Sequence, residues 1–477
     1  MHHSPILLKD LSLCFSHKTC FEGFSATVPY GSKIAIIGQN GQGKSTLLNC
    51  VQGLKTLITG VVNIPQDICL GVVPQIIEGI TTLSGAERFH QALTRALSVN
   101  PNVLLLDEPT NHLDTQNRAA LLRMLRSFDG TLILVTHDPH LLNQCVDTLW
   151  HIDNGIINIF TGNYTDYQRE LAQQRSCLEK EIGQLTQNKK QLHQALMQEQ
   201  VRAKKSREKG QKSITQRKWP TIVSNAKANR AANTAGVKRA QIATKKQDCL
   251  NQLAELSLPE IIKPSFSLDA AKIKDKCLLS ISNASIGFQN KPLIQSVSLS
   301  VFSSSRIALL GQNGCGKSTL MKAILGRRDI ITTGYWQRPN AQEIGFLDQH
   351  YGTLERDKTA LACLQALAPN WPYKALRLHL TDFLFKKNEE VEAKVAQLSG
   401  GEKARLSLAM IGAKTPPLLL LDEITNNLDM QTKEHVIQVL QSYPGAMIVI
   451  SHDEAFLKAI NITEYYIIQH NSLVNVR

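Results

Sequence analysis

The sequence predicts an α/β fold in which one domain occurs twice and a long α-helical hairpin joins the two copies. The duplication is read from two repeats: GQNGQGKST at 38–46 returns as GQNGCGKST at 311–319, and LLLDE at 104–108 returns at 419–423. The α/β class is read from the flanks of the glycine-rich repeats. An apolar run precedes each (33–37 and 306–310) and an amphipathic stretch follows, giving the order strand, loop, helix. The hairpin is read from Leu171, Leu178, Leu185 and Leu192, which recur every seven residues with Ile182 and Leu196 between them, the spacing of a coiled-coil seam.

At 477 residues the chain exceeds what one hydrophobic core sustains, so several domains are expected. The repeats set them at 4–162, 163–264 and 276–477. No uncharged apolar run approaches the roughly 18 residues that span a bilayer. The first ten residues lack the charged start and long apolar stretch of a secretory signal. A cytoplasmic protein with no membrane-spanning segment is expected. Ten cysteines sit singly, without a CxxC pair, which reads as reduced thiols and argues against zinc or iron-sulfur sites. The net charge of +13 is concentrated: residues 202–246 hold fourteen Lys or Arg against the single acid Glu208.

In chain order, the first copy has a strand into its glycine-rich loop, a strand ending at Asp107, and the β-rich run 131–136 ending before His137. The linker follows, expected as a helix over 164–207, on the order of 65 Å long at ~1.5 Å per residue. Breakers at Gly210 and Pro220 place the tip at 208–222, and a second basic helix returns to about Leu256. The second copy repeats the first, with a strand into 311–319, one ending at Asp422, and the run 446–451 before His452.

These residues fit phosphate chemistry. In such a P-loop, glycines turn backbone amides toward phosphates at a helix N-terminus, the lysine reaches the β and γ phosphates, and the hydroxyl ligates magnesium. Gly38, Gln39, Asn40, Gly41, Gln42 and Gly43 lead to Lys44, Ser45 and Thr46; Gly311, Gln312, Asn313, Gly314, Cys315 and Gly316 lead to Lys317, Ser318 and Thr319. Asp107 and Asp422, ending buried strands, would hold magnesium through water. Glu108 and Glu423 would act as general bases toward the attacking water. A lone Asp-Glu pair is usually a solvated strand end, but Glu108 to His137 and Glu423 to His452 are each 29 residues, which makes the histidines γ-phosphate sensors. ATP and Mg2+ are the cofactors expected.

The motif LSGGEKARLSLAM at 398–410 resembles the signature helix of ATP-binding-cassette proteins, and LSGAERFHQALTRAL at 83–97 is its counterpart. Ser84 to Asp107 and Ser399 to Asp422 are each 23 residues. The resemblance implies that Ser84 and Gly85, and Ser399, Gly400 and Gly401, meet nucleotide held by the other copy's P-loop. It also implies that Gln75 and Gln349 contact magnesium and water, and that Phe15 and Phe288 stack on adenine. With NHLD after the first acidic pair and GNYTDY at 162–167 opening the basic linker, the chain resembles the ABC-F subfamily: two ATP-binding-cassette P-loop domains joined by a long α-helical hairpin. That implies a monomeric, ribosome-associated ATPase acting on translation, its hairpin directed at rRNA and tRNA. Gln75 to Ser84 is 9 residues where Gln349 to Ser399 is 50, so most of the first copy's helical subdomain is expected to be missing. Some antibiotic-resistance members are similarly shortened.

Other readings stay open. The chain could be the ATPase subunit of a membrane transporter with a separate permease, although a basic hairpin has no evident role there. A DNA-repair or chromosome-organising ATPase lacks support from zinc-type cysteine pairs or longer coiled coils. The basic linker, with Trp219 beside Arg217 and Lys218, reads either as an RNA-contacting tip or as a solvated basic face. The two ATP sites are expected to be unequal. Ala86 stands where the family has a glycine close to phosphate, and Ile424 and Asn427 stand where the first copy has Pro109 and His112.

Overall fold

The computed structural model describes residues 2–15, 18–54, 58–75, 85–111, 113–153, 155–215, 237–238, 240–252, 276–288, 291–348, 351–352, 354–425 and 428–476. Ser84, His112, Arg217, Lys218, Trp219, Pro220, Gln349 and Asn427 lie outside them, as does the side chain of Phe15. The chain divides into two compact units: residues 1–164 with 261–477, which hold both copies of the repeated domain, and residues 165–260.

The first copy pairs β1 (Ile6–Phe15), β2 (Lys18–Val28) and β4 (Ile58–Asn63) antiparallel in the order β2-β1-β4. A second sheet is built from β3 (Lys33–Gly38), β5 (Leu70–Val73), β6 (Val103–Asp107), β7 (Thr131–Val135), β8 (Thr148–Asp153) and β9 (Ile156–Thr161). Its order is β5-β6-β7-β3-β8-β9, parallel except at the β8–β9 edge. The central strands are unbroken apolar runs, as strands covered on both faces must be; every residue of β6 and β7 is buried. Phe21, Phe24, Ile36 and Trp150 fill the core of this copy.

The second copy repeats the order with β15 (Ile344–Leu347), β16 (Leu418–Asp422), β17 (Ala446–Ile450), β12 (Arg306–Leu310), β18 (Glu464–Gln469) and β19 (Ser472–Val476) side by side. β10 (Cys277–Phe288) and β11 (Lys291–Phe302) form its antiparallel part, with β13 (Ile331–Thr332) and β14 (Tyr335–Gln337) paired to β10. A single bridging pair, Gln295 with Ser472, joins the antiparallel part to the parallel one.

The copies differ in helices. In the first, residues 74–84 alone separate β5 from α2 (Gly85–Ser98), after α1 (Lys44–Val51) and before α3 (Thr115–Arg126) and α4 (Pro139–Cys145). In the second, α7 (Lys317–Ile324) follows the P-loop. Residues 348–399, which carry α8 (Ala360–Leu367), α9 (Tyr373–Asp382) and α10 (Asn388–Glu392), then separate β15 from α11 (Gly400–Lys414). These helices pack through Leu376, Leu380, Phe383 and Phe385 onto the core that holds α11 and α12 (Met430–Ser442), and α13 (Glu454–Ala459) closes the copy.

Between the copies, α5 runs from Tyr164 to Thr215 as one helix of 52 residues, about 78 Å at ~1.5 Å per residue. It continues through Gly210, where the sequence placed a break. One glycine costs only ~1 kcal/mol in a helix interior, and its neighbours Lys209, Gln211 and Lys212 are good helix formers. Within residues 165–260, α5 lies beside α6 (residues 240–252), where the buried Cys249 thiol donates to the Leu185 carbonyl at 3.2 Å. Among the described residues no helix is long and apolar enough to cross a membrane.

Candidate nucleotide site

Each P-loop leaves the end of a central strand, β3 between β7 and β8 or β12 between β17 and β18, the edge at which parallel α/β sheets bind ligands. Gly43 and Gly316 cap α1 and α7 in the left-handed region, at φ 88 and 105. A Cβ on Gly43 would also run into Leu13 Cδ2, so only glycine turns the loop there and frees the first amides of α1.

Both P-loop lysines are buried and folded onto their own loops. Lys44 Nζ donates to the carbonyls of Gly38 (2.8 Å) and Gln39 (3.0 Å) and to Asn40 Oδ1 (3.2 Å); Lys317 Nζ donates to Gly311 (2.8 Å) and Gln312 (3.0 Å). Burial lowers the Lys44 pKa, against the opposing pull of Glu108, Asp429 and Asp107. Phosphate oxygens would replace the carbonyls as better partners for a buried cation.

The acidic residues sit at the ends of β6 and β16. Burial raises the Asp107 carboxyl above its usual range, although Ser45 hydrogen-bonds to it and Lys44 is near. Ser318 Oγ donates to Asp422 Oδ1 at 3.1 Å, and burial raises Asp422 likewise. Asp107 Oδ1 is buried without a hydrogen-bond partner. A hydroxyl beside a carboxylate with a spare oxygen fits magnesium, which keeps several waters and takes few protein ligands. Among the described residues no cluster of three His, Cys, Asp or Glu would cage a metal alone.

Glu108 and Glu423 both adopt a left-handed backbone, φ 48 and 50, and their amides donate to Val135 (2.8 Å) and Ile450 (3.0 Å). The turn residues Pro109 and Thr110 are matched by Ile424 and Thr425, while His112 and Asn427 lie outside the described residues. His137 Nε2 lies 3.5 Å from Glu108 Oε1, and His452 Nε2 lies 3.9 Å from Glu423 Oε1. Burial pushes Glu108 up to about 8 and His137 down to about 3, with Lys44 adding to the fall at the histidine; burial and Lys317 bring His452 down to about 4. At neutral pH His137 is therefore an uncharged imidazole. Both its nitrogens, and Nε2 of His452, are buried without hydrogen-bond partners. Orphaned polar atoms at the mouth of a P-loop mark a place for a ligand.

The first P-loop faces the second copy. Asn40 N donates to Asp429 Oδ2 at 3.2 Å, and Gln39 donates to Gln431. A cavity of about 460 Å³ is lined by Gly43, Lys44, Ser45, Gln75, Asp107, Glu108 and His137 from the first copy and by Gly400 from the second. At the second P-loop, Gln312 Nε2 donates to Gln116 Oε1 at 3.4 Å. Ser399 opens α11 with a capping box to Glu402, so Gly400 presents the start of that helix. Gly85 opens α2, and Phe288 ends β10 largely exposed. A Cβ on Gly401, the counterpart of Ala86, would meet Thr432 Oγ1 at 2.7 Å, and Ala86 is itself buried. Its methyl is thus an interior group rather than an obstruction to phosphate, and the sequence argument for unequal sites loses that support.

Sequence reasoning missed Asp429, Gln431 and Gln116 as site residues. The signal was present, since Asp114 and Asp429 sit six residues after Glu108 and Glu423 respectively. Both residues are N-caps of the helices that follow them.

A family model described as "ABC transporter" matches residues 21–77 and 294–426, and one described as "AAA domain, putative AbiEii toxin, Type IV TA system" matches 84–143. The chain is 28% identical to the ribosome protection protein VmlR of Bacillus subtilis, over 95% of this chain and 85% of that one. It is 33% identical to the probable ATP-binding protein YheS of Haemophilus influenzae and 31% identical to the ATP-binding protein Uup of Escherichia coli, over 83% and 84% of this chain. Of those two relatives it spans little more than half, 57% and 58%. Family match, relatives and doubled P-loop architecture agree: the chain carries ATP-binding-cassette ATPase domains and is similar along most of its length to members of the ABC-F subfamily.

Proposed function

We propose that this ATPase is a cytoplasmic, monomeric, ribosome-associated protein, a translation factor or ribosome-protection protein, whose cassettes close on two ATP molecules and whose linker acts near tRNA. The observation that carries the closure is the sharing of one cavity by Lys44, Glu108 and His137 of the first cassette and Gly400 of the second. The ribosomal assignment is supported by the fourteen cations of residues 202–246, which would neutralise RNA phosphates, and by similarity along most of its length to a ribosome protection protein.

In this reading Lys44 and Lys317 leave their loop carbonyls for the β and γ phosphates, while the amides after Gly43 and Gly316 hold the phosphate chain. Ser45 with Asp107, and Ser318 with Asp422, would hold magnesium, which withdraws charge from the phosphates when bound. Glu108 and Glu423 orient the attacking water and take its proton; His137 and His452 donate to the γ-phosphate from their buried, unpartnered nitrogens. Gly400 brings the positive end of α11 to the same phosphate.

Replacing Glu108 and Glu423 together by Gln keeps the shape of both sites and removes both bases. Hydrolysis should fall by about 10² to 10⁴-fold, with ATP retained. Sedimented through sucrose with ATP, the double variant should travel with ribosomes more completely than the wild-type chain. No enrichment over wild type would sink the ribosomal reading, and recovery in the membrane pellet would favour a transporter subunit.

A further inference from the structure

The motif GNYTDY at 162–167 places Tyr164 where the first cassette passes into α5. Gly162 turns the chain out of β9 at φ 143, and a Cβ there would lie 2.8 Å from Phe160 Cε1, so the turn needs glycine. The Gly162 N–H donates to the Asp147 carbonyl at 2.7 Å and ties the turn to the residue before β8. Tyr164 is thereby set into the protein: it is 5% exposed, and its hydroxyl donates to Met430 Sδ of the second cassette at 2.8 Å. A buried tyrosine hydroxyl takes a partner, and here the partner is a thioether across the cassette boundary.

Met430 stands between the two residues that hold the first P-loop. Asp429 Oδ2 accepts from Asn40 N at 3.2 Å, and Gln431 accepts from Gln39. Three successive residues at the start of α12 therefore meet the first cassette, two of them at its P-loop and one at Tyr164. Side chains one residue apart on a helix point about 100° apart, so a contact at Met430 fixes the rotation of α12 that the other two contacts require. The second P-loop offers a comparison within the chain. Gln116 accepts from Gln312 at 3.4 Å, but Thr115 stands in the place of Met430 and lines a cavity of about 950 Å³ with Leu310, Cys315 and Ile467.

We propose that Tyr164 is a positioning residue for ATP hydrolysis at the first site: through Met430 it holds the start of α12, and with it Asp429 and Gln431, against Asn40 and Gln39 of the P-loop. Tyr164 lines no part of the cavity shared by Lys44, Glu108, His137 and Gly400, so it acts through α12 alone. The residue that begins α5 thus helps to set the geometry of the first nucleotide site. The proposal rests on the reading of paired cassettes with Glu108 and Glu423 as their general bases.

The test is steady-state ATP hydrolysis by the full chain carrying Tyr164→Phe, Met430→Leu or both, with melting temperature measured alongside. Each substitution keeps the bulk of its side chain and removes one end of the hydrogen bond. Each should lower turnover about threefold to tenfold, the weight of one such bond, with the melting temperature near wild type. The pair should lose no more than the larger single loss, because both changes break the same contact. Tyr164→Phe is then placed in Glu423→Gln, which leaves the base of the first site, and in Glu108→Gln, which leaves that of the second. Turnover should fall in the former and hold in the latter, whereas a general structural loss would lower both. The proposal is overturned if Tyr164→Phe keeps wild-type turnover, if the single losses multiply in the pair, or if both backgrounds lose alike. If neither glutamate variant alone loses turnover, the reading of the bases fails instead, and the comparison of singles with the pair still decides the role of Tyr164.

Discussion

Glu108 combines two costs, a left-handed backbone of the kind that stores ~1–3 kcal/mol and a carboxyl shut away from water. The second makes it a reporter of pH. Its pKa, 4.5 in an open chain, is pushed up to about 8 by burial, so the native state keeps a proton that the unfolded chain releases. Stability of the nucleotide-free protein should therefore fall as pH rises from about 4.5 to 8 and level off above. Glu108→Gln cannot ionise and escapes that loss. Melted in EDTA without nucleotide, the variant should exceed wild type by roughly a few degrees at pH 8, the gap closing toward pH 4.5. A gap that grows in acid would refute the assignment. His137 has the opposite sign: held neutral down to about 3, it loses its contribution as pH falls below 6.5. Which side chains gather around each P-loop was the most legible part of the sequence, since P-loop motifs constrain neighbouring residues. Burial, which sets these pKa values, was not, because it depends on strands far apart in the chain.

At the scale of elements, α12 does two things with one side chain. Asp429 Oδ1 accepts from Thr432 N at 2.8 Å and caps the helix, while Oδ2 accepts from Asn40 N of the other cassette at 3.2 Å. Asp429→Ala should lose both, with about 1 kcal/mol lost for the cap. Asp429→Asn keeps an oxygen for the cap but turns an amide donor toward another donor. A hydrogen bond to a charged group contributes ~1.5–3 kcal/mol, so ATP turnover should fall about tenfold while the melting temperature stays near wild type. Turnover and melting temperature falling together in the Asn variant would show the cross-cassette contact to be incidental. Strands and P-loop helices were legible because apolar runs and glycine punctuation are local signals. The passage of α5 through Gly210 was not, because one weak breaker is outvoted by its helix-forming neighbours. Nor was the direction of Ala86, since the sequence gives a methyl its position along a helix but not its neighbour across it.

At the scale of the molecule, the site on the first P-loop is the better assembled of the two, with Gly400, Lys44, Glu108 and His137 around one cavity and Asn40 held by Asp429. It should carry most of the steady-state hydrolysis. Glu108→Gln alone should remove most turnover and Glu423→Gln should leave a substantial fraction; equal losses, or the reverse order, would show the assignment wrong. The doubling of the cassette was legible at once, but which surfaces face each other was not, because a repeat reports that two domains are alike and nothing of how they meet. The shared cavity also has a consequence for inheritance. One cavity is encoded in two stretches of gene several hundred codons apart, Lys44 in one and Gly400 in the other. Neither half can drift freely: a mutation in one is selected through the chemistry of the other. Recombination that exchanges a single cassette with a relative's would then deliver mismatched halves, even when each half folds.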